Sequence, residues 1–438
     1  GALEATGRHE VSIVDAVAEG LDDDGLQQRI LELEPDVVGI QAITFSIVDA
    51  CRAAGRVKAI DRDIPVIMGG PHANLYPEET LSQRNVDIVL LGEGEHNAVA
   101  CLDALEGRGA REDVPGIVFR DSSGRVRYGP PNPLIENLDD LPMPARHLLK
   151  QDLYGSVLGT GKRLTTIMSS RGCPARCIFC DRPHLGKRFR ARSAVSVVDE
   201  MQQCVEQFGI GEFFFYDDTF TIDRQRVYDV CREIEARGLD VVWDIRARVS
   251  TVDADVLKAL SAAGCKRVHY GIESGNPGVL KTIRKGLDLD RARQVLRWSR
   301  AAGIETLAYF MLGFPGEGER EIGDTIEFAL SLKCDYVHVA VTTPFPGTEL
   351  YRIGLERGLF ESDYWAAFAA DPSPEFVPPL WEETFSRDEL VNYMFRLYHR
   401  FYRRPGYLLR RLSKVRSVKE LRTKAVAGVK LLCNSAEK

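Results

Sequence analysis

No stretch of this 438-residue chain approaches the roughly 18 uncharged apolar residues that a membrane-crossing helix needs. No basic-then-apolar leader with a small-residue cleavage site is present either, so the expectation is a cytoplasmic protein. Positive charge is not in excess: 57 Lys and Arg stand against 64 Asp and Glu, a net −7, which excludes the broad basic footprint of a nucleic-acid binder. Cysteine is sparse. Ten in a chain of this size do not make a disulfide scaffold, and seven of them (Cys51, Cys101, Cys204, Cys231, Cys265, Cys334 and Cys433) are scattered and read as small buried hydrophobes. With 44% hydrophobic residues and no glycine-proline repeat, disordered and collagen-like classes are excluded as well.

What is present is a twofold alternation of strand and helix patterns. In the first, short apolar runs at Glu10 to Val14, Val37 to Ile43, Pro65 to Met68 and Val86 to Leu91 read as strands, with helices near Gly25 to Leu33 and Ile47 to Ile60. Such an order predicts a parallel, doubly wound sheet, and the helix-like start at Ala2 to Thr6 suggests that its first strand and loop lie upstream of Gly1. Proline and glycine then dominate Asp113 to Gly161, read as a linker with one small hairpin. The second alternation places strands near Leu164 to Met168, Glu212 to Tyr216, Val241 to Ile245, Val268 to Gly271, Thr306 to Leu312 and Tyr336 to Val341. Helices such as Val195 to Phe208 and Arg291 to Ala302 separate them. Six consecutive units predict a partial (β/α)6 barrel. A helical C-terminal region follows, with candidates at Leu390 to Tyr402 and Val418 to Leu432. The expected domains are therefore 1–112, a linker at 113–161, the barrel at 162–358 and the C-terminal region at 359–438.

The remaining three cysteines sit together in Arg171-Gly-Cys-Pro-Ala-Arg-Cys-Ile-Phe-Cys180, just past the first barrel strand, where barrel loops carry function. Thiolates hold iron–sulfur clusters, and three on one loop fill three corners of a four-iron cluster, leaving one iron open to substrate or cofactor. Zinc held by Cys173, Cys177, Cys180 and His184 is the structural alternative, although zinc modules more often pair two CxxC knuckles. A ferredoxin-like cluster needs a fourth nearby cysteine, which is not there.

On this CxxxCxxC loop the chain resembles the radical SAM superfamily, over about Arg163 to Leu350. Members hold a 4Fe-4S cluster at such a loop and cleave S-adenosylmethionine (SAM) to a 5′-deoxyadenosyl radical. The resemblance implies that Cys173, Cys177 and Cys180 bind the cluster and that Phe179 contacts adenine. It implies that Asp217 or Asp218 accepts from the SAM amino group and that Arg246 or Arg248 holds its carboxylate, for which a guanidinium fork is matched. Glu273 and Ser274, in Gly271-Ile-Glu-Ser274, would contact ribose and carboxylate. The loops Leu312-Gly-Phe-Pro-Gly316 and Thr343-Pro-Phe-Pro-Gly-Thr348 would lie near the adenine. Each has a plain alternative: the aspartates could cap a helix, the arginines could sit in salt bridges, Phe179 could pack the loop, and Phe213, Phe214 and Phe215 are core.

The first alternation resembles the cobalamin-binding domain of one branch of that superfamily, at Val11 to Asp15, Gln41-Ala-Ile-Thr-Phe-Ser46, Gly69-Gly-Pro-His-Ala-Asn74 and Gly92-Glu-Gly-Glu95. These are strand ends, where open sheets bind ligands. Gly69, Gly70, Gly92 and Gly94 would admit a ring or nucleotide tail, Thr44 or Ser46 would offer a hydroxyl, and His72 would be a loop histidine near the corrin rim. The plain alternative is a set of tight turns.

The branch includes cobalamin-dependent methyltransferases and the anaerobic magnesium-protoporphyrin ester cyclase. The resemblance implies methylation of an unactivated carbon or phosphorus centre. One alternative is radical cyclisation or rearrangement without methyl transfer. Methylthiolation of transfer RNA would need three further clustered cysteines, and a corrinoid or redox sensor would not need the SAM-shaped strand ends. The implied partners are a small-molecule or lipid-like substrate and an electron donor such as flavodoxin or ferredoxin. The aromatic segment Phe360 to Trp381 is expected either to cover the open side of the barrel or to pack C-terminal helices. From Arg387 to Lys438, 14 basic residues face 4 acidic ones, a local +10 that leaves −17 for the rest. With Phe395, Leu397, Tyr398, Phe401 and Tyr402 interleaved, this tail reads either as a peripheral membrane contact or as a helical cap on the barrel.

Overall fold

A computed structural model of the chain describes residues 1–180 and 185–412. His184, Cys433, the helix expected at Val418 to Leu432 and most of the basic tail lie outside the described residues. Two compact units emerge. The first comprises residues 1–153, 185–190 and 345–378; the second comprises 154–180, 191–344 and 379–412.

In the first unit β1 (Val38–Gln41), β2 (Val66–Gly69) and β3 (Ile88–Leu90) pair in parallel. The inner strands β2 and β3 are buried because helices must close the crossovers of a parallel sheet, whereas β1, at the edge, alternates between half-buried and exposed residues. The helix Ile47–Ile60 shows how: Ile47, Ala50, Ala54 and Val57 form one buried stripe at helical spacing. The hairpin expected in the linker exists as β4 (Ile117–Arg120) and β5 (Val126–Tyr128). It is no separate element, since both strands extend the first sheet antiparallel to β3. The run Glu10 to Val14 is not a strand. It is irregular, Ile13 is 43% exposed, and Asp15 instead caps the short helix Ala16–Glu19.

The second unit is a six-stranded, all-parallel sheet: β6 (Leu164–Ile167), β7 (Glu212–Phe215), β8 (Val242–Ala247), β9 (Cys265–Glu273), β10 (Glu305–Leu312) and β11 (Tyr336–Val341). Each strand pairs with its sequence neighbour, and β6 and β11 remain the two edges, so the barrel is open. Phe213 and Phe215 are core, as expected, whereas Phe214 between them points to the other face and is half-buried; Phe215 meets Phe220 and Trp243 at 5.1 and 5.4 Å between ring centroids.

An edge strand exposes unpaired backbone groups, and the helix Arg387–Tyr402 meets this need at β11. The Tyr398 hydroxyl accepts from the Val339 N–H (2.8 Å) and donates to its carbonyl (3.1 Å), and Tyr402 does the same at Val337 (3.1 and 2.9 Å). Leu397 and Phe401 are fully buried, and Arg400 reaches Glu327 at 2.6 Å. For the described part of the tail the cap reading holds: Tyr398, Tyr402 and Phe401 are spent on the barrel and unavailable to a membrane. Among the described residues no helix is long and apolar enough to cross a membrane. The C-terminal region expected at 359–438 is also divided, because residues 345–378 belong with the first unit.

The glycine at Gly70 has a structural cause. Its φ is +98°, and a Cβ there would meet the Ala42 carbonyl oxygen at 2.7 Å. Gly70→Leu should therefore destabilise the first unit by about 2 kcal/mol or more through strain in both backbone and packing, and so lower its melting temperature. An unchanged thermal transition in that variant would contradict this account. The close approach expected for a ligand at Gly70 is made by the protein's own chain.

Candidate active site at the strand ends

The cysteine loop leaves β6 through Ser169 and Ser170, and these two residues are pinned by Asp217. Its carboxylate accepts from the Ser169 N–H, the Ser169 hydroxyl and the Ser170 hydroxyl, all at 2.6 Å. Arg226 completes the brace, donating to the Ser169 carbonyl (3.0 Å) and hydroxyl (2.6 Å) and to the Arg192 carbonyl (2.8 Å). Burial pushes the Asp217 carboxyl above its ordinary value, against the pull of Arg226 and its three donors. Asp217 is fully buried, so the expectation that it reaches a SAM amino group is corrected: its oxygens are committed to launching the loop. Asp218 beside it is half-buried.

On the loop, Cys173 and Cys177 are buried and Cys180 is half-buried. Cys173 Sγ lies 3.8 Å from the Thr219 hydroxyl, and Arg248 Nη1 approaches Cys177 Sγ at 3.6 Å. The loop is tied to its surroundings by the Ile178 N–H, which donates to the Ile283 carbonyl at 3.2 Å. None of the three is in a disulfide. Among the described residues no three His, Cys, Asp or Glu side chains converge as ligands of a single ion. The donor set of three thiols on one loop, with an Arg248 N–H directed at the Cys177 sulfur, fits a cluster with thiolates at separate corners.

The other strand ends surround this loop. The Arg246 guanidinium stacks over the Tyr216 ring at 4.0 Å and Arg248 is directed at Cys177; among the described residues neither forms a salt bridge. Among the described residues Glu273 is one of three non-glycine residues with positive φ (+70°), a strained conformation of the kind that recurs at functional sites. Its Oε1 receives Lys285 Nζ at 2.6 Å in a buried ion pair. Ser274 does not face the mouth. Its hydroxyl bonds Thr325 at 3.0 Å, and Gly275 lets the helix Glu319–Ser331 come so close that a Cβ would meet Phe328 at 2.5 Å. The expected ribose or carboxylate contact at Ser274 is thus corrected to a packing role. Phe179 meets the Phe314 ring at 5.5 Å, with Lys285 Nζ 5.9 Å from its centroid.

Three residues escaped the sequence reading. Glu317 is buried one position past Leu312-Gly-Phe-Pro-Gly316. Its Oε2 accepts from the Gly313 (2.6 Å) and Phe314 (3.0 Å) N–H groups, which shapes that loop, and burial raises its carboxyl to about 7. The glutamate ending a glycine-proline turn was the available signal. Lys285 lies in no motif. His269 sits mid-strand, its Nδ1 2.9 Å from the Tyr309 hydroxyl and its Nε2 3.3 Å from Asp244. Only strand pairing brings those three together.

In the first unit, Thr44 is buried with its hydroxyl 3.4 Å from His72 Nδ1, and the half-buried Ser46 bonds the Ile43 backbone. His72 lies in the helix Pro71–Leu75, fully buried, and burial lowers its pKa to about 4. A neutral, sealed imidazole corrects the expectation of a loop histidine at a corrin rim. Asn74 bridges the two glycine loops: its Oδ1 accepts from the Gly92 N–H at 2.7 Å and its Nδ2 donates to the Gly70 carbonyl at 2.9 Å. Gly69 keeps ordinary contact with the Leu90 carbonyl oxygen, a Cβ at Gly92 would meet Asn132, and Gly94 opens onto free space. At the end of β1, Ile43 and Phe45 stay exposed, Phe45 by 56%, with Phe345 (5.5 Å) and Trp365 (6.2 Å) edge-on against its ring. Tyr364, Trp365, Phe368 and Phe376 therefore pack in this unit, whereas Trp381 belongs to the second unit, where its backbone N–H donates to the Thr342 carbonyl at 3.1 Å. An exposed apolar shelf at a strand end fits a broad planar ring.

An open six-stranded parallel barrel with three thiols at its first loop, preceded by a Rossmann-like unit with an apolar strand end, defines a class of two-domain iron–sulfur enzymes. The Radical SAM superfamily model matches residues 167–329, and the B12 binding domain model matches residues 1–102. An uncharacterized methyltransferase of Pyrococcus horikoshii is 34% identical over 404 residues, spanning 92% of this chain and 86% of that protein. The anaerobic magnesium-protoporphyrin IX monomethyl ester cyclase of Rubrivivax gelatinosus is 29% identical over 416 residues, spanning 93% and 73%. Among solved structures, the radical SAM methyltransferase TsrM of Kitasatospora setae, with cobalamin and a [4Fe-4S] cluster bound, superposes with a TM-score of 0.67 at 21% identity, covering 81% of this chain and 70% of that one. The chain belongs to the cobalamin-binding branch of the radical SAM superfamily. Its cofactors are a 4Fe-4S cluster, SAM and cobalamin.

Proposed function

We propose that this chain methylates an unactivated carbon or phosphorus centre of a small-molecule or lipid-like substrate. The observation that carries this reading is the 34% identity, along 92% of the chain, to a protein named a methyltransferase. When bound, the cluster and SAM supply a hydrogen-abstracting radical and the cobalamin a transferable methyl group. In this reading Cys173, Cys177 and Cys180 hold the cluster, and Phe179 against Phe314 offers an apolar wall to adenine. Asp218, Arg246 and Glu273 are the strand-end groups left for SAM. Their chemistry suits it: carboxylates accept from its amino group and ribose, and a guanidinium is matched to its carboxylate. Ile43, Phe45 and Thr44 form the shelf for the corrin, with Gly94 leaving room beside it. Electrons come from a low-potential carrier such as flavodoxin or ferredoxin, and the site of action is the cytoplasm.

Cyclisation without methyl transfer is the second reading, favoured by the similarity to the ester cyclase along 93% of the chain. One experiment separates the two. Reconstituted protein is incubated anaerobically with SAM carrying a trideuterated methyl group and with a panel of hydroxyalkylphosphonates, hopanoids and tetrapyrroles. The expected result is a substrate product bearing the label, with S-adenosylhomocysteine formed alongside. A converted but unlabelled product, with 5′-deoxyadenosine released, would replace methylation by cyclisation.

A further inference from the structure

The two arginines that follow the middle of β8 have different surroundings. Arg246 lies on the Tyr216 ring, whereas Arg248 is held at both ends of its guanidinium. Its Nη1 is 3.6 Å from Cys177 Sγ and its Nη2 donates to the Lys285 carbonyl. Lys285 is fixed in turn by the buried pair with Glu273 and by its position over the Phe179 ring. Among the described residues no carboxylate pairs with Arg248, and the contact it makes beside the sulfur is the one from Nη1. A guanidinium cannot lose its proton and presents donors in a rigid fork, so two anchored nitrogens set its plane.

A hydrogen bond to a cluster thiolate, and a positive charge beside it, stabilise the more negative reduced cluster more than the oxidised one, which raises the reduction potential. We propose that Arg248 is a positioning residue of the cluster: it clamps the Cys177 thiolate and raises the potential at which the cluster accepts its electron, and it does not hold the SAM carboxylate. The chain Glu273–Lys285–Arg248–Cys177 then links a SAM-facing strand end to the cluster through side chains and one carbonyl. This inference rests on the reading of Cys173, Cys177 and Cys180 as the cluster ligands.

The test uses full-length protein reconstituted anaerobically with iron and sulfide, as wild type, Arg248→Lys and Arg248→Met. Redox titration without SAM, followed by the electron paramagnetic resonance signal of the reduced cluster, reads the potential directly. The expected result is unchanged iron content with a more negative potential in Arg248→Met and a smaller shift of the same sign in Arg248→Lys, which keeps the charge but cannot span both partners. Weak nitrogen coupling to the reduced cluster in wild type labelled with [15N]arginine should vanish in Arg248→Met. Unchanged potentials in both variants, with weaker SAM binding, would overturn the proposal in favour of the carboxylate role. If Arg248→Met loses iron, the Lys variant and the labelled wild type decide alone. Absence of a four-iron signal in wild type would instead refute the ligand assignment itself.

Discussion

Replacing Cys173, Cys177 or Cys180 by Ala removes iron from the reconstituted protein and reduces 5′-deoxyadenosine formation by well over about 100-fold, more than the 10- to 100-fold typical of changes behind a metal's own ligands. In the proposed assignment each thiolate supplies one corner of the cluster, and no other cysteine among the described residues can stand in for it. Cys204, Cys231 and Cys265 are buried in the barrel core. Burial raises the Cys231 thiol to about 12 and the Cys265 thiol well above its ordinary value, so neither offers a thiolate at neutral pH. Iron analysis, the brown absorbance of the cluster and chromatographic assay of 5′-deoxyadenosine check the three variants. Retention of about four irons per chain in any of them would remove that cysteine from the ligand set. Zinc in place of iron after anaerobic reconstitution of the wild type would overturn the whole assignment.

Asp217→Ala should destabilise the barrel unit by about 3–5 kcal/mol, the usual cost of breaking a buried charged network from one side. Three donors, the Ser169 N–H and the hydroxyls of Ser169 and Ser170, lose their acceptor, and the buried Arg226 loses the charge that faces it. For a unit of this size that is a fall in melting temperature of roughly 10 °C. Because the same carboxylate launches the cysteine loop, the variant should also release its iron sooner during anaerobic desalting. Asp218→Ala, at a half-buried position, should leave the melting temperature within about 2 °C of wild type. Scanning calorimetry of both apo variants distinguishes the two aspartates. A thermally normal Asp217→Ala protein with weakened SAM affinity would return Asp217 to a ligand role.

Much of the fold was legible before any coordinates. The run Val66 to Met68 is too short and too uniformly apolar for anything but a buried strand, and Tyr336 to Val341 alternates in the way of an edge strand, with Val337 and Val339 buried and His338 exposed. The stripe Ile47, Ala50, Ala54, Val57 repeats at helical spacing, and its helix begins and ends where the pattern does. The run Glu10 to Val14 failed because alternation of apolar residues specifies a strand only where a partner edge is present to pair with it. The hairpin at Ile117 to Tyr128 was legible as a hairpin but not as part of the first sheet, since pairing to β3 leaves no local signature.

The candidate site divides in the same way. Which residues stand at strand ends followed from the strand-helix pattern, because a parallel sheet brings all its carboxyl ends to one side. What each of those residues touches did not. Asp217 and Asp218 are adjacent in sequence and equal in chemistry, yet one is sealed against Ser169 and Ser170 and the other is half open. Arg246 and Arg248 differ in the same way, one stacked on Tyr216 and the other aimed at Cys177.

The sequence by itself therefore determined the elements, their parallel order and the cysteine loop, since periodicity, turn residues and thiolate spacing act over a few residues. Only the tertiary structure decided that His72 is buried, that Lys285 meets Glu273, that Glu317 shapes the Gly313–Phe314 turn and that two tyrosines close the β11 edge. Those outcomes depend on burial and on partners distant along the chain. A hydrogen bond or ion pair of that kind has no periodicity in the sequence to announce it.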